Sequence, residues 1–303
     1  MIDLADPQKN SDLLENTLRR ASTSNPFWIC GPCVIESREI LGRIADRLAS
    51  LAVKNNVPVI FKASLDKANR TDARSYRGPS LEDGLNALLW VKQTFGLPVL
   101  TDVHETSQVN SIAEVADVLQ IPAFLCRQTD LIHAACATGR TVNVKKGQFM
   151  APSALPALVG KLEQFGAHRY WITERGTCFG YHHLIVDYAA LPEMLTATQG
   201  RCILDITHST QLMSADDNGR RSGGRRMAIP FLARAGAVNG FAGFFAETHP
   251  HPAQALSDSS TSIDLQEIPD LFHNVRVLAE TAQSLVASKP ELVDPLAPFS
   301  APV

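Results

Sequence analysis

Short apolar runs alternate with amphipathic stretches along most of the chain. The runs are Phe27–Cys30, Val57–Phe61, Pro98–Thr101, Val115–Ile121, Thr141–Val144, Tyr170–Thr173, Cys202–Ile206 and Gly240–Ala246. Most are continuously apolar, the pattern of strands buried on both faces. Between them, apolar residues recur at helical spacing. Ile40, Leu41, Ile44, Leu48 and Leu51 predict a helix within Ser37–Ala52. Leu81, Leu85, Leu88 and Leu89 predict another within Ser80–Gly96, with Ser80 as its cap. Eight such alternations without a linker predict an α/β protein with a single (β/α)8 TIM barrel over residues 26–288. A doubly wound open sheet is the rival, but it rarely needs so many parallel units. Residues 1–25 are polar and read as an N-terminal extension with one short helix. Residues 289–303 carry Pro290, Pro295, Pro298 and Pro302 and read as an irregular tail.

Composition narrows the function classes. The 303 residues are 45% hydrophobic and 19% charged, ordinary values for a globular protein with a large core. A net charge of -3 and a pI of about 6.3 argue against a nonspecific nucleic-acid or membrane-surface binder. A local basic pocket remains compatible with both. No apolar run reaches the roughly 18 residues a membrane span needs. The first residues, Met1–Arg20, lack the apolar core of a signal peptide. The scattered cysteines at 30, 33, 126, 136, 178 and 202 read as reduced thiols of a cytoplasmic protein.

A barrel places its chemistry just after the C-terminal strand ends. There the chain offers Gly31-Pro32-Cys33, then Lys62 with Lys67, Asn69 and Arg70, then Asp102 and His104. Arg127 and Gln128 follow the fourth run, and Lys145, Lys146 and Gln148 the fifth. Glu174 and Arg175, Asp205 and His208, and Glu247 and His249 follow the last three. One Lys after a strand is usually a solvated loop residue; the whole ring in register is the signal. Lys62, Lys67, Arg70, Arg127, Lys145 and Arg175 would converge on one mouth and suit an anionic, phosphate-bearing ligand. No Walker A sequence and no strand-following G-x-G-x-x-G points to a nucleotide. Cys33, His208 and Glu247 follow strands that are neighbours in a closed barrel, and Asp258 lies in the loop after the eighth. That donor set suits a borderline divalent ion such as Fe2+, Zn2+, Mn2+ or Co2+. The bland alternative is a buried Cys, a structural His and a solvated carboxylate pair.

Cys30-Gly31-Pro32-Cys33 is also a dithiol redox sequence. Against that reading, Cys30 lies inside an apolar run and the following helix starts only near Ser37. Of His182 and His183, at least one reads as structural. Cys126, Cys136, Cys178 and Cys202 read as core filler. The polar stretch Asp216–Gly224 reads equally as a lid or as a plain solvated loop.

Several motifs together resemble the metal-dependent class of the 3-deoxy-D-manno-octulosonate 8-phosphate synthase family. They are Gly31–Ser37 (GPCVIES), Phe61–Arg70 (FKASLDKANR), Leu100–His104 (LTDVH), Asn143–Phe149 (NVKKGQF), Thr173–Gly176 (TERG), Asp205–Ser209 (DITHS), Glu247–Pro250 (ETHP) and Ala255–Asp258 (ALSD). The resemblance runs from about residue 26 to 285. It implies a (β/α)8 barrel, usually a homotetramer, that joins phosphoenolpyruvate, D-arabinose 5-phosphate and water. The products are the octulosonate 8-phosphate, a precursor of lipopolysaccharide or of plant pectin, and phosphate. By resemblance, Lys62, Lys67, Lys145 and Arg175 bind phosphoenolpyruvate with Gln148 nearby, while Asn69 and Arg70 take the aldose phosphate. Cys33, His208, Glu247 and Asp258 match the metal ligands; members without metal carry Asn at the position of Cys33. Lys67, Asp102, His104 and His208 are the catalytic candidates; Lys67 protonates or stabilises the aldehyde oxygen, and Asp102, His104, Asp205 or Glu247 shape the water network. The related branch that makes the heptulosonate 7-phosphate from erythrose 4-phosphate characteristically has Lys-Pro-Arg-Thr where this chain has Lys67-Ala68-Asn69-Arg70. A non-catalytic, metabolite-sensing barrel would keep the clamps but lose the metal ligands.

Three segments depart from the family pattern. Thr71-Asp72 replaces Ser-Ser, which puts a carboxylate near a phosphate unless it turns away or pairs with Arg74. Tyr181-His182-His183 replaces Tyr-Asn-Asn, and the loop between Gln211 and Ser222 lacks the usual sequence.

Overall fold

The computed structural model describes residues 7–70, 72, 74–180, 183–212 and 223–288, with side chains from residue 13 onward. Eight parallel strands form the barrel: Phe27–Gly31, Val59–Lys62, Val99–Asp102, Val118–Ile121, Thr141–Lys145, Tyr170–Glu174, Cys202–Asp205 and Gly243–His249. Each pairs with the next, and the first closes onto the eighth from Phe27↔Gly243 to Gly31↔Glu247. The expected TIM barrel is therefore the fold, and the open-sheet rival is excluded by that closing pair.

Side chains alternate along each strand, so the strands face two cores. Trp28, Cys30, Val59, Phe61, Leu119, Val142 and Phe244 turn outward against the helices. Ile29, Ile60, Leu100, Val118, Trp171, Ile203 and Phe245 turn inward and pack on each other. The next inward position along each strand changes character. It is Gly31, Lys62, Asp102, Gln120, Asn143, Thr173, Asp205 or Glu247, and Lys145 lies one inward step beyond Asn143. Apolar filling thus gives way to polar side chains at the C-terminal mouth. Gly31 is required by crowding: a Cβ there would lie 2.0 Å from the Lys62 carbonyl oxygen.

The helices follow the predicted stripes. α1 spans Pro7–Leu18, α2 Arg38–Lys54 and α3 Leu81–Phe95. Ser37 Oγ accepts from Ile40 N–H at 3.2 Å, and Ser80 Oγ from Asp83 N–H at 3.1 Å, satisfying first-turn donors. Gly96 ends α3 in the left-handed conformation, φ +64°. α4, Val109–Val115, corrects the predicted fourth strand, which begins at Val118 rather than Val115. Between them Asp117 faces the helical layer and accepts from Val99 N–H and from Lys92 Nζ of α3.

The polar N-terminal segment does more than extend the chain. Leu14 of α1 is buried among the inward residues at the N-terminal end, and Glu15 pairs with Arg169 at 2.6 Å. No helix among the described residues is long and apolar enough to cross a membrane. The expected Pro-rich tail, 289–303, and the segment 213–222 lie outside the described residues, as do Thr71, Tyr181 and His182.

Candidate active site

The strand ends open into a cavity of about 710 Å³, a size typical of small-molecule sites. Lys62, Lys67, Asn69, Arg70, Asp102, His104, Lys145, Gln148, Arg175, His208, Glu247 and Asp258 all line it. Arg127 does not. It is exposed, because the turn Ala123–Leu125 takes the chain outward before that residue is reached. Five of the six expected cations therefore converge within the chain.

One wall gathers the cations Lys145 and Arg175. Lys145 Nζ donates to Asp205 Oδ2 at 2.5 Å and lies 3.1 Å from the centre of the Phe245 ring. Burial, with Arg175 and Lys62 adding repulsion, brings Lys145 down to about 8 against the opposing pull of Asp205. Arg175 Nη2 donates to Gln211 Oε1 at 2.6 Å, but its buried Nη1 has no acceptor among the described residues. A buried guanidinium hydrogen without a partner is costly. A ligand oxygen placed there removes the cost.

The opposite side gathers metal-type donors. Ligand atoms of Cys33, Glu247 and Asp258 lie within 4.8 Å of one another. Cys33 Sγ is 3.0 Å from Asp258 Oδ2 and 2.9 Å from Ser257 Oγ. His208 Nε2 is 3.5 Å from Glu247 Oε1 and 3.9 Å from Asp258 Oδ2. Its Nδ1 contacts Asp205 Oδ2 at 2.8 Å, which turns Nε2 toward the acids. Burial, then Asp258 and Glu247, push the Cys33 thiol well up. Despite its burial, Glu247 is held far below the usual carboxylate range by Lys62, His208 and Lys67. Its Oε2 is buried without a partner among the described residues. Asp258 sits at φ +47°, an uncommon conformation for a non-glycine residue. Its carbonyl accepts from Thr261 and Ser262 N–H, which holds that turn. A thiol, an imidazole and two carboxylates around an orphaned carboxylate oxygen fit a divalent cation.

Lys62 stands between the two sides. Fully buried, its Nζ donates to Glu247 Oε1 at 2.6 Å and to the Cys33 carbonyl at 2.7 Å. Lys67 Nζ is 3.7 Å from the same Glu247 oxygen. Asn69 is exposed at the rim, while Arg70 is tied to the Tyr76 and Leu256 carbonyls at 2.7 and 3.3 Å. Asp72 pairs with Arg74 at 3.1 Å, resolving the expected repulsion in favour of pairing.

Sequence reasoning missed the neutral residues that brace Asp102. Gln120 Nε2 and Ser64 Oγ donate to its two oxygens. Gln120 in turn accepts from Asn143, at 2.8 Å, and Asn143 from Thr173, at 2.7 Å. Against burial, Lys62, Lys67 and His104 bring Asp102 down to about 2. These amides follow the same alternation as Lys62 and Lys145, and that parity is the signal that finds them. It also separates neighbours: Lys146 points away from the mouth and pairs with Glu174 at 3.3 Å. Cys30 faces the helical layer and is a free, fully buried thiol, so it and Cys33 form no disulfide. His183 bridges to Leu212 rather than entering the cavity.

The DAHP synthetase I family model matches residues 17–284. The chain belongs to that family. A protein of Cyanothece sp. named 2-dehydro-3-deoxyphosphooctonate aldolase is 50% identical over 244 residues, covering 80% of this chain and 88% of that protein. One of Synechococcus sp. with the same name is 46% identical over 284 residues, 90% of this chain and 99% of that protein. One of Dichelobacter nodosus, again so named, is 46% identical over 252 residues. Within the DAHP synthetase I family these relatives bear the octonate name, not that of the heptulosonate branch.

Proposed function

We propose that this chain condenses phosphoenolpyruvate with D-arabinose 5-phosphate and water, giving 3-deoxy-D-manno-octulosonate 8-phosphate and phosphate. The supporting observation is the pairing of an unfilled cationic wall with a metal-type donor set across one cavity. The names of the relatives agree with it. In the reaction, C3 of the enol bonds to the aldehyde carbon and the aldehyde oxygen takes a proton. Water adds at C2, and the C2–O bond to phosphate breaks.

Two anions must be held head to head, which fixed cations achieve by prepaying orientation and offsetting repulsion. Lys145 and Arg175 serve the phosphate and carboxylate of the first substrate, with Gln148 beside them. Asn69 and Arg70 at the rim serve the phosphate of the aldose. Lys67, close to Glu247, faces the developing aldehyde oxygen as donor. Asp102, braced by Ser64 and Gln120, stays ionised and with His104 orders the attacking water. Cys33, His208, Glu247 and Asp258 would hold a divalent ion, Fe2+, Zn2+, Mn2+ or Co2+. When bound, such an ion supplies Lewis acidity toward an oxygen in the cavity. With this function go a homotetrameric assembly and a cytoplasmic location.

The test is disappearance of phosphoenolpyruvate with arabinose 5-phosphate, against erythrose 4-phosphate as comparator. Loss that depends on the arabinose compound is the expected result. Preference for the erythrose compound moves the chain to the heptulosonate branch, and no loss with either overturns catalysis of this kind.

A further inference from the structure

The anion wall and the metal donors are joined by two side chains, each holding one partner on either side. Asp205 is fully buried at the end of the seventh strand. Its Oδ2 accepts from Lys145 Nζ at 2.5 Å and contacts His208 Nδ1 at 2.8 Å. Its Oδ1 accepts from the backbone N–H groups of Thr207 and His208, which fixes the carboxylate in place. Gln211 is half-buried just beyond. Its Oε1 accepts from Arg175 Nη2 at 2.6 Å, and its Nε2 donates to Asp258 Oδ1 at 3.0 Å. Each bridge thus runs from a wall cation to a metal-type donor.

We propose that Asp205 and Gln211 are positioning residues that couple anion binding at Lys145 and Arg175 to cation binding at the donor set. Each ligand raises affinity for the other. This rests on the metal site proposed above. A cation engaging His208 Nε2 makes Nδ1–H a stronger donor and draws Oδ2 toward the ring. Lys145 is then less engaged by Asp205 and freer for an anion. A cation engaging Asp258 weakens what Gln211 Nε2 can donate to. Hydrogen bonds in a chain polarise one another, so the link from Arg175 to Gln211 loosens too. Both bridges act with the same sign, and reciprocity requires an anion to strengthen cation binding equally.

The test measures Co2+ affinity by competition with a chelator, with and without saturating inorganic phosphate. In the unaltered protein phosphate should tighten Co2+ binding about tenfold, within the usual range of coupling between sites. Gln211→Met should reduce that factor about threefold, and Asp205→Asn at least as much. Asp205→Asn should also weaken Co2+ itself about 10–100-fold, the usual effect of a residue that orients a ligand. Direct attraction between phosphate and Co2+ survives both substitutions, so only the bridge-borne part is lost. An unchanged factor in the variants overturns the proposal, as does no coupling in the unaltered protein. If Asp205→Asn does not fold, Gln211→Met decides alone, since its side chain stands at the cavity edge. The measurement needs no turnover, so failure of the condensation reading shows separately, in undiminished phosphoenolpyruvate.

Discussion

The two ends of the barrel are made from the same strands and do opposite work. At the N-terminal end, Ile29, Ile60, Leu100, Val118, Ile203 and Phe245 fill the interior, and Leu14 of α1 packs among them. At the next inward position of most of these strands stand Lys62, Asp102, Gln120, Asp205 and Glu247, all polar and buried. The first end gains stability by removing apolar surface from water. The second buries charged side chains, and Arg175 Nη1 and Glu247 Oε2 have no partner there among the described residues. A side chain's share in stability or chemistry is thus set by one inward step, two residues, along the strand.

Substitutions at the two ends should separate cleanly. The largest effect is expected from Arg175→Met: kcat/KM for phosphoenolpyruvate falls about 10²–10³-fold, as when one fixed transition-state donor is lost. Its thermal midpoint stays close to that of the unaltered protein. A large drop in midpoint would break the division between the ends. Cys33→Ser should lower bound metal and activity together, by more than the roughly 10–100-fold typical of a merely supporting residue. Full activity in the metal-free variant would remove Cys33 from the site. Leu14→Ala works at the other end. Denaturant unfolding should report a loss of about 2–4 kcal/mol, the usual cost of such a truncation, with KM for both substrates unchanged.

The smallest effect is a pH dependence. Lys145 sits at about 8, below its ordinary value, because burial disfavours its charge. In the free protein it therefore loses its proton as pH rises through that value. Affinity for sulfate, whose charge does not change in this range, should be constant below about pH 8 and then fall by up to about tenfold per unit. Titration of sulfate binding checks this, and Lys145→Met should flatten the profile. A profile that falls toward acid instead would assign the anion's hold to another group.

Much of this was legible from pattern alone, for physical reasons. Strands buried on both faces must be continuously apolar, so the eight runs stood out. Most reactive side chains after them reach the common mouth, though Arg127, Lys146 and Glu174 do not. Where a run crossed from α4 into the fourth strand at Val115, apolar residues on both sides hid the boundary that Asp117 makes. Arg127 looked like its fellow cations because sequence distance does not record the outward turn at Ala123–Leu125. Ser64, Gln120 and Asn143 were passed over because neutral polar residues inside strands resemble tolerated filler; only their inward parity and mutual bonds reveal the brace on Asp102. The N-terminal segment read only as a polar extension because its helix buries few residues, Leu14 chief among them.

The central claim is that the mouth is a metal-supported site for joining two phosphorylated substrates. Phosphoenolpyruvate loss with arabinose 5-phosphate, followed before and after thorough chelation, tests it most directly. The account predicts that turnover disappears with the chelator and returns when Mn2+, Fe2+, Co2+ or Zn2+ is restored. Turnover that survives complete removal of metal would contradict it and leave Cys33 a buried thiol beside a purely cationic site.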